Sequence, residues 1–325
     1  MPLSYESTFA AAAAEVLAAR AGAPAPAVHD VEARRVGITA SYAAMFAKLP
    51  DAPDVEQSIH PIRSYDGATI NVYRFAPKAS SASTTPGPAI LHTHGGGTIQ
   101  GTVELFTKML RLQVQRTGVP VFSVDYRLAP EHAHPTPSED SYAGLCWLYE
   151  HAGEFGVDRS RIATMGESAG GMLAAALALM ARDRGLSPPL AKQILIYPML
   201  DDRNTTPIAP LEPLAFWGND DNITAWTALL GKDIGTERAS PYAAPARATS
   251  VEGLPPTYID TGELDIFRDE DIAYAGRIAA ANISVELHVY PGLPHAFEVY
   301  APEAESTKRA VADRDRAILS VIELP

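Results

Sequence analysis

The chain is 325 residues long, and 26 Lys and Arg against 39 Asp and Glu leave a formal net charge of −13. That balance argues against a nucleic-acid partner, which needs concentrated positive charge to displace counterions, and against an anionic membrane surface. It suits a neutral or hydrophobic small molecule. With 46% hydrophobic and 20% charged residues the composition is that of an ordinary globular chain, long enough for one large α/β domain or two small ones.

Cys146 is the single cysteine, which excludes an intramolecular disulfide and a thiolate metal cage. Phe9 to Ala14 followed by Val16–Ala19 is apolar enough to be misread as a signal peptide. It has no basic n-region, however, and Glu15 interrupts the run. No stretch approaches the ~18 uninterrupted apolar residues of a membrane span. The expectation is a cytoplasmic protein.

Residues 3–20 read as an Ala-rich helix closed by Gly22, Pro24 and Pro26, and residues 31–48 as a second helix with Val36, Ala40 and Ala43 near helical spacing. Ile59–Phe75 alternates around Asp66–Gly67, the signal of a two-residue type I′ hairpin. Ser80–Pro88 reads as a surface loop. Strand and helix then alternate. Strands are expected at Ala89–Thr93, Val119–Val124, Arg161–Met165, Ile194–Tyr197, Pro256–Asp260 and Val285–Tyr290. Helices are expected at Glu104–Arg116, Glu139–Glu154, Ala169–Arg182, Arg268–Ala281 and Lys308–Ile322. Short apolar strands alternating with helices predict a mostly parallel sheet covered on both faces. The alternation breaks between Pro198 and Pro255, where residues 211–231 read as a helical insertion with exposed aromatics, among them Phe216, Trp217 and Trp226.

Gly166–Glu167–Ser168–Ala169–Gly170–Gly171 follows a predicted strand and opens a predicted helix. A serine on so sharp a turn needs small neighbours two residues away on each side, and its hydroxyl is lifted to a helix N-terminus that stabilises developing negative charge. His94–Gly95–Gly96–Gly97 follows another strand. Three glycines in a row leave backbone N–H groups free to meet a small anion, and no Lys follows them as a phosphate loop would require. Carboxylates cluster after the strand Pro256–Asp260, at Glu263, Asp265, Asp269 and Asp271, and His295 lies in a Gly/Pro-rich loop farther on. Serine, acid and histidine thus occur in the chain order of an α/β-hydrolase. His92 with His94 and His132 with His134 have metal-like spacing, but no carboxylate completes a cluster in the sequence. Arg127 and Glu131, spaced i,i+4, read as an ion pair, and Asp140 as an anchor.

These motifs make the chain resemble the hormone-sensitive-lipase-like esterases of the α/β-hydrolase superfamily, from about Tyr65 to the C-terminus. The resemblance rests on His94–Gly97, Asp125–Glu131, Gly166–Gly171, Asp265–Glu270 and Gly292–Phe297, all in the family's order. It implies Ser168 as nucleophile, Asp265 as acid and His295 as base, with Gly96, Gly97 and Ala169 supplying the oxyanion N–H groups and Glu263 the rival acid. Three positions depart from the family pattern. Glu167 stands where Asp is commoner, Ile266 where Pro is usual, and Thr98 where an aromatic commonly follows the glycines.

The expected architecture is an α/β-hydrolase domain over residues 56–325, with a helical cap from residues 1–55 and an insertion around 200–235. The expected activity is hydrolysis of short-to-medium acyl esters through an acyl-enzyme, with no cofactor and no metal. Thr98 and a lightly attached N-terminal segment predict an open pocket. A non-catalytic receptor on the same fold, an amide or lactone hydrolase, and an acyltransferase using the same triad are the alternatives. Val285–Val289 is expected near a sheet edge, and with it a homodimer.

Overall fold

The computed structural model describes residues 2–23, 25–78 and 85–322. The chain begins with two short helices, α1 (Ser7–Ala12) and α2 (Ala14–Gly22), then α3 (Val31–Ala47). Strands β1 (Val55–Arg63) and β2 (Thr69–Pro77) follow, then β3 (Gly87–Thr93), α4 (Val103–Thr117), β4 (Val121–Asp125) and α5 (Thr136–His151). The second half runs β5 (Val157–Glu167), α6 (Ala169–Asp183), β6 (Lys192–Ile196), α7 (Asn219–Leu230), β7 (Thr257–Gly262), α8 (Arg268–Ala280), β8 (Val285–Tyr290), α9 (Phe297–Tyr300) and α10 (Glu305–Leu319).

The strands form one eight-stranded sheet in the order β1-β2-β4-β3-β5-β6-β7-β8. The β1–β2 and β2–β4 pairs are antiparallel and every later pair is parallel. This is an α/β-hydrolase fold. Strand side chains alternate between two cores: Leu91, Phe122 and Leu195 face α5, α6 and α8, while Ile90, Val121 and Ile194 face α4 and α10. Helix α6 is buried from Ala169 to Ala181, which its alanines permit because small side chains let the helix lie close on the sheet.

Several expectations are corrected. The first helix is interrupted at Ala13, so α1 and α2 are separate. In α3, Val36 is 62% exposed, whereas Arg34 and Phe46 are buried; the apolar spacing did not mark the packed face. The β1–β2 hairpin turns through Tyr65, Asp66 and Gly67, with the Ser64 N–H donating to Ala68 O at 2.9 Å and the Gly67 N–H to Ser64 O at 3.0 Å. Gly67 alone of the Asp-Gly pair has a positive φ, +83°, so the turn is the three-residue kind, not type I′. Of the predicted loop Ser80–Pro88, residues 80–84 lie outside the described residues, and Gly87 and Pro88 already belong to β3. Phe216, Trp217 and Trp226 are 7%, 7% and 0% exposed, so the insertion buries its aromatics.

The N-terminal segment is firmly held. Phe9 is fully buried, the Glu6 N–H donates to Gly292 O at 3.0 Å, and the Tyr5 hydroxyl donates to Leu214 O at 2.8 Å. The Glu6 carboxylate caps α1; its bonds from Thr8 and Phe9 hold its pKa down at about 2. The expected light attachment is therefore overturned.

Candidate active site

Strand β5 delivers Ser168 and α6 starts at the next residue. Ser168 has φ 57° and ψ −120°, a conformation an L-residue adopts only under constraint. The constraint is crowding. A Cβ on Gly170 would stand 2.0 Å from Thr93 O, and one on Gly166 would stand 2.3 Å from Gly170 O. The turn is further fixed by the Ser168 N–H donating to Ile196 O at 2.9 Å and by the Met199 N–H donating to Ser168 O at 3.1 Å.

His295, in the loop between β8 and α9, is 6% exposed and lies with Nε2 2.9 Å from Ser168 Oγ. Its Nδ1 is 2.6 Å from Oδ2 of Asp265, which follows β7 and is fully buried. The other carboxylate oxygen of Asp265 accepts the Phe267 N–H at 3.0 Å, fixing the acid's orientation. With the Nδ1 proton directed at the carboxylate, Nε2 is left as the acceptor for the serine hydroxyl. The rings of Tyr197, Phe267 and Trp217 surround the imidazole at centroid distances of 4.7, 5.3 and 6.4 Å. Glu263 is turned elsewhere: its Oε2 accepts the Gly292 N–H at 2.9 Å.

The glycine loop leaves β3 beside this serine. His94 is buried between the rings of Tyr126 and Phe106, 4.3 and 5.6 Å away, and its Nδ1 lies 2.9 Å from Gly95 O. Burial holds its pKa at about 4, so the ring is neutral at pH 7. A Cβ on Gly95 would approach Ser168 Cβ to 3.5 Å, and one on Gly97 would strike the Trp217 ring at 2.7 Å. Among the described residues, no loop hydrogen bond uses the N–H of Gly96, Gly97 or Ala169, leaving these donors available to an oxyanion.

Thr98, expected at the pocket wall, is fully buried at φ 60°, and its hydroxyl donates back to Gly97 O at 2.6 Å. The space over Ser168, about 460 Å³ when the solvent at its mouth is included, is walled instead by Ile38, Tyr42, Phe106, Met109, Trp217 and Val299. Phe216 packs on Tyr5, Phe9 and Tyr300 behind that wall, and Trp226 belongs to the core.

Arg127 and Glu131 do not pair. Arg127 binds Asp66 and Asp140, the latter also accepting the Ser64 hydroxyl, while Glu131 is held by Arg35 at 2.7 Å. Asp140 is thus the expected anchor. Nor is His92 without a carboxylate: its Nε2 lies 2.9 Å from Glu167 Oε2 and its Nδ1 2.8 Å from Ser123 Oγ. Burial would raise the pKa of Glu167, but the His92 ring and its hydrogen bond outweigh that and hold it below the ordinary value. Among the described residues, no group of three His, Cys, Asp or Glu is placed to hold a metal.

Reading the sequence missed Tyr42, Met109 and the Glu167–His92 bond. It also missed a buried network that meets the cleft at Tyr197. There the Tyr197 hydroxyl donates to Glu298, and Arg314 binds Glu298 at 2.8 Å and Asp260 at 2.6 and 3.0 Å. These partners are scattered along the chain and share no motif. The available signal was the placement of Arg314 on the apolar face of the last helix, in line with Ala310, Ala317 and Ile318.

A family profile for the alpha/beta hydrolase fold matches residues 90–299. The carboxylesterase NlhH of Mycobacterium tuberculosis is 38% identical over 244 residues, covering 71% of this chain and 74% of the relative. An ethyl acetate hydrolase of Pseudomonas putida is 31% identical over 275 residues, covering 84% and 85%. A solved bacterial heroin esterase superposes with a TM-score of 0.87 at 36% identity, covering 98% of both chains. With its sheet, its serine turn and these relatives, the chain belongs to the hormone-sensitive-lipase-like esterases of the α/β-hydrolase fold.

Proposed function

We propose that the protein is a carboxylesterase in which Ser168, His295 and Asp265 act as a catalytic triad. The observation that carries this reading is the unbroken chain of hydrogen bonds from Asp265 Oδ2 to His295 Nδ1 and from His295 Nε2 to Ser168 Oγ, 2.6 and 2.9 Å long. His295 takes the proton of Ser168 as Oγ attacks the ester carbonyl. The N–H groups of Gly96, Gly97 and Ala169 hold the oxyanion, and Asp265 keeps the imidazolium oriented. His295 returns the proton to the departing alcohol, and water then cleaves the acyl-enzyme by the same route.

The substrates are esters with short-to-medium acyl chains. A small cleft with a largely apolar wall supports this, as does a relative that bears the name ethyl acetate hydrolase. Residues 1–55 and 200–235 serve as the cap over the 56–325 hydrolase domain. The hydrogen bonds that Tyr5 and Arg20 make to Leu214, Ala215 and Phe216 favour that division. The enzyme works in the cytoplasm as a homodimer without a cofactor or metal; among the described residues no helix is long and apolar enough to cross a membrane. The test is a phosphonate label followed by peptide mapping. Stoichiometric modification of Ser168 with parallel loss of p-nitrophenyl acetate hydrolysis is expected. An unlabelled serine, or a labelled protein that still turns over, defeats the reading.

A further inference from the structure

Arg314 lies in the last helix, α10, yet its side chain is buried and reaches two acids at once. Its Nε and Nη2 donate to the two oxygens of Asp260 at 2.6 and 3.0 Å, and its Nη1 donates to Oε1 of Glu298 at 2.8 Å. Asp260 is on β7, five residues before Asp265, and Glu298 is on α9, three residues after His295. The guanidinium therefore joins the strand that delivers the candidate acid to the segment that carries the candidate base. Tyr197, which follows β6, closes the link. Its hydroxyl donates to the same Oε1 of Glu298, and its N–H donates to Asp260 O at 2.7 Å. Its ring centroid is 4.7 Å from that of the His295 imidazole and 5.2 Å from the guanidinium carbon of Arg314. The backbone of Tyr197 has φ 34°, a value that persists only where the surroundings over-determine it. Apolar side chains of similar volume would fill this space about as stably, because desolvation offsets much of the attraction within a buried ion cluster. They would not fix directions as a bidentate guanidinium does.

We propose that Arg314 is a positioning residue for the triad, holding β7 and the His295 segment at the spacing where Asp265 meets Nδ1 and holding Tyr197 against the imidazole. The proposal rests on the esterase reading of Ser168, His295 and Asp265. Both ties to Glu298 fall on one oxygen, so a displacement of the guanidinium reaches Tyr197 and the His295 segment together. Catalytic groups work within about 0.5 Å of their productive geometry, and a misplacement of about 1 Å costs about a hundredfold in rate. The loss falls on the chemical step and not on substrate binding, because Arg314 does not line the cleft.

The test compares Arg314→Lys and Tyr197→Phe with Arg247→Lys. Lysine keeps the charge but has no planar fork to span Asp260 and Glu298. Phenylalanine keeps the ring on His295 but loses the bond to Glu298. Arg247 and Asp202 form an equally buried pair, with side chains 6% and 0% exposed against 8% and 0% for Arg314 and Asp260. Among the described residues their side chains bond to neither β7, α9 nor Tyr197, so Arg247→Lys reports what breaking such a pair costs anywhere in the fold. Each variant is assayed on p-nitrophenyl acetate well below its melting temperature. The Nδ1 proton of His295 is followed as a low-field proton resonance, assigned by its loss in His295→Ala. Arg314→Lys is expected to lower kcat about ten- to a hundredfold and Tyr197→Phe about three- to tenfold, with KM within about twofold of the parent and the resonance moved in both. Arg247→Lys is expected to lower the melting temperature while leaving kcat and the resonance as in the parent. Folded Tyr197→Phe with parental kcat and an unmoved resonance overturns the proposal, even where Arg314→Lys fails to fold. A fall in kcat in Arg247→Lys as large as in Arg314→Lys also overturns it. Full turnover in Ser168→Ala would instead defeat the triad reading itself.

Discussion

Oδ2 of Asp265 stands 2.6 Å from Nδ1 of His295, while the carboxylate of Glu263, two residues earlier, accepts the N–H of Gly292 at 2.9 Å. The two acids that compete in the sequence therefore face different partners. Asp265→Asn keeps the shape of the site but offers an amide where a carboxylate must hold the imidazolium, and a fall of about 10⁴ in kcat is expected. Glu263→Gln retains an oxygen for Gly292 and is expected to stay within about threefold of the parent. Steady-state rates on p-nitrophenyl acetate decide between them, and the reverse order would move the acid to Glu263.

Ser168→Ala and His295→Ala should each abolish nearly all turnover while the fold survives. Triad members act as one unit, so the double variant is expected to cost little more than either single change, with losses of about 10⁴-fold or more. Circular dichroism and thermal melting establish that the fold is retained. Residual turnover above a few per cent in Ser168→Ala would disprove the proposed nucleophile.

What could be read without coordinates was local. The serine turn was legible because its crowding dictates glycine on both sides, and the strand-helix alternation because each parallel strand is a short apolar run. Trp217 illustrates what was not. It was expected to be exposed because the strand-helix alternation breaks around it, yet the indole is buried against Gly97 and His295. The residues just before it, Leu214 to Phe216, are held by Tyr5 and Arg20, about two hundred residues away in the chain. Thr98 was misjudged for a related reason, since the family position fixes the residue but not the direction in which a φ of 60° sends its side chain.

Asp271 offers a test by pH. Both carboxylate oxygens are buried without a hydrogen-bond partner among the described residues. Burial, with Glu270 and Asp265 nearby, raises its pKa well above the ordinary value. In the folded state it holds a proton that the unfolded chain releases above about pH 4. Its contribution is therefore present at low pH and lost as pH rises toward the folded pKa. Asp271→Asn has nothing to titrate, so its melting temperature relative to the parent should increase as pH rises above about 4 and level off once the folded-state pKa is passed. A difference that is flat or falls with pH would show that Asp271 is ionised in the fold.

Strand β8 ends the sheet order, and Val285 to Val289 are only partly buried. An edge carries unpaired N–H and C=O groups that a second copy of the chain can pair. Light scattering at micromolar concentration is expected to give twice the 34.7 kDa of one chain. Replacing Leu287 by Pro, which cannot donate a ladder hydrogen bond, should shift the species toward monomer. A stable monomer in the parent protein would remove the dimer.

Arg20 straps down the segment that leads into Trp217. Arg20 on α2 donates to Ala215 O at 2.9 Å and to Phe216 O at 3.4 Å, and its guanidinium lies 4.3 Å from the Phe216 ring centroid. The next residue is Trp217, which forms a wall of the cleft and packs on the glycine loop. Charged hydrogen bonds of this kind contribute about 1.5–3 kcal/mol each when buried, and less where solvent screens them as here. Arg20→Ala should leave Ser168, His295 and Asp265 in place but let the 214–217 segment shift. Ground-state and transition-state contacts to the indole would then weaken together. The signature is a rise in KM of about three- to tenfold on aryl esters with kcat changed less than about twofold, because uniform binding is lost without loss of charge stabilisation. Arg20→Lys keeps the charge and one donor and should recover part of the KM. A fall in kcat at constant KM would mean that Arg20 acts on the reacting atoms and not through Trp217.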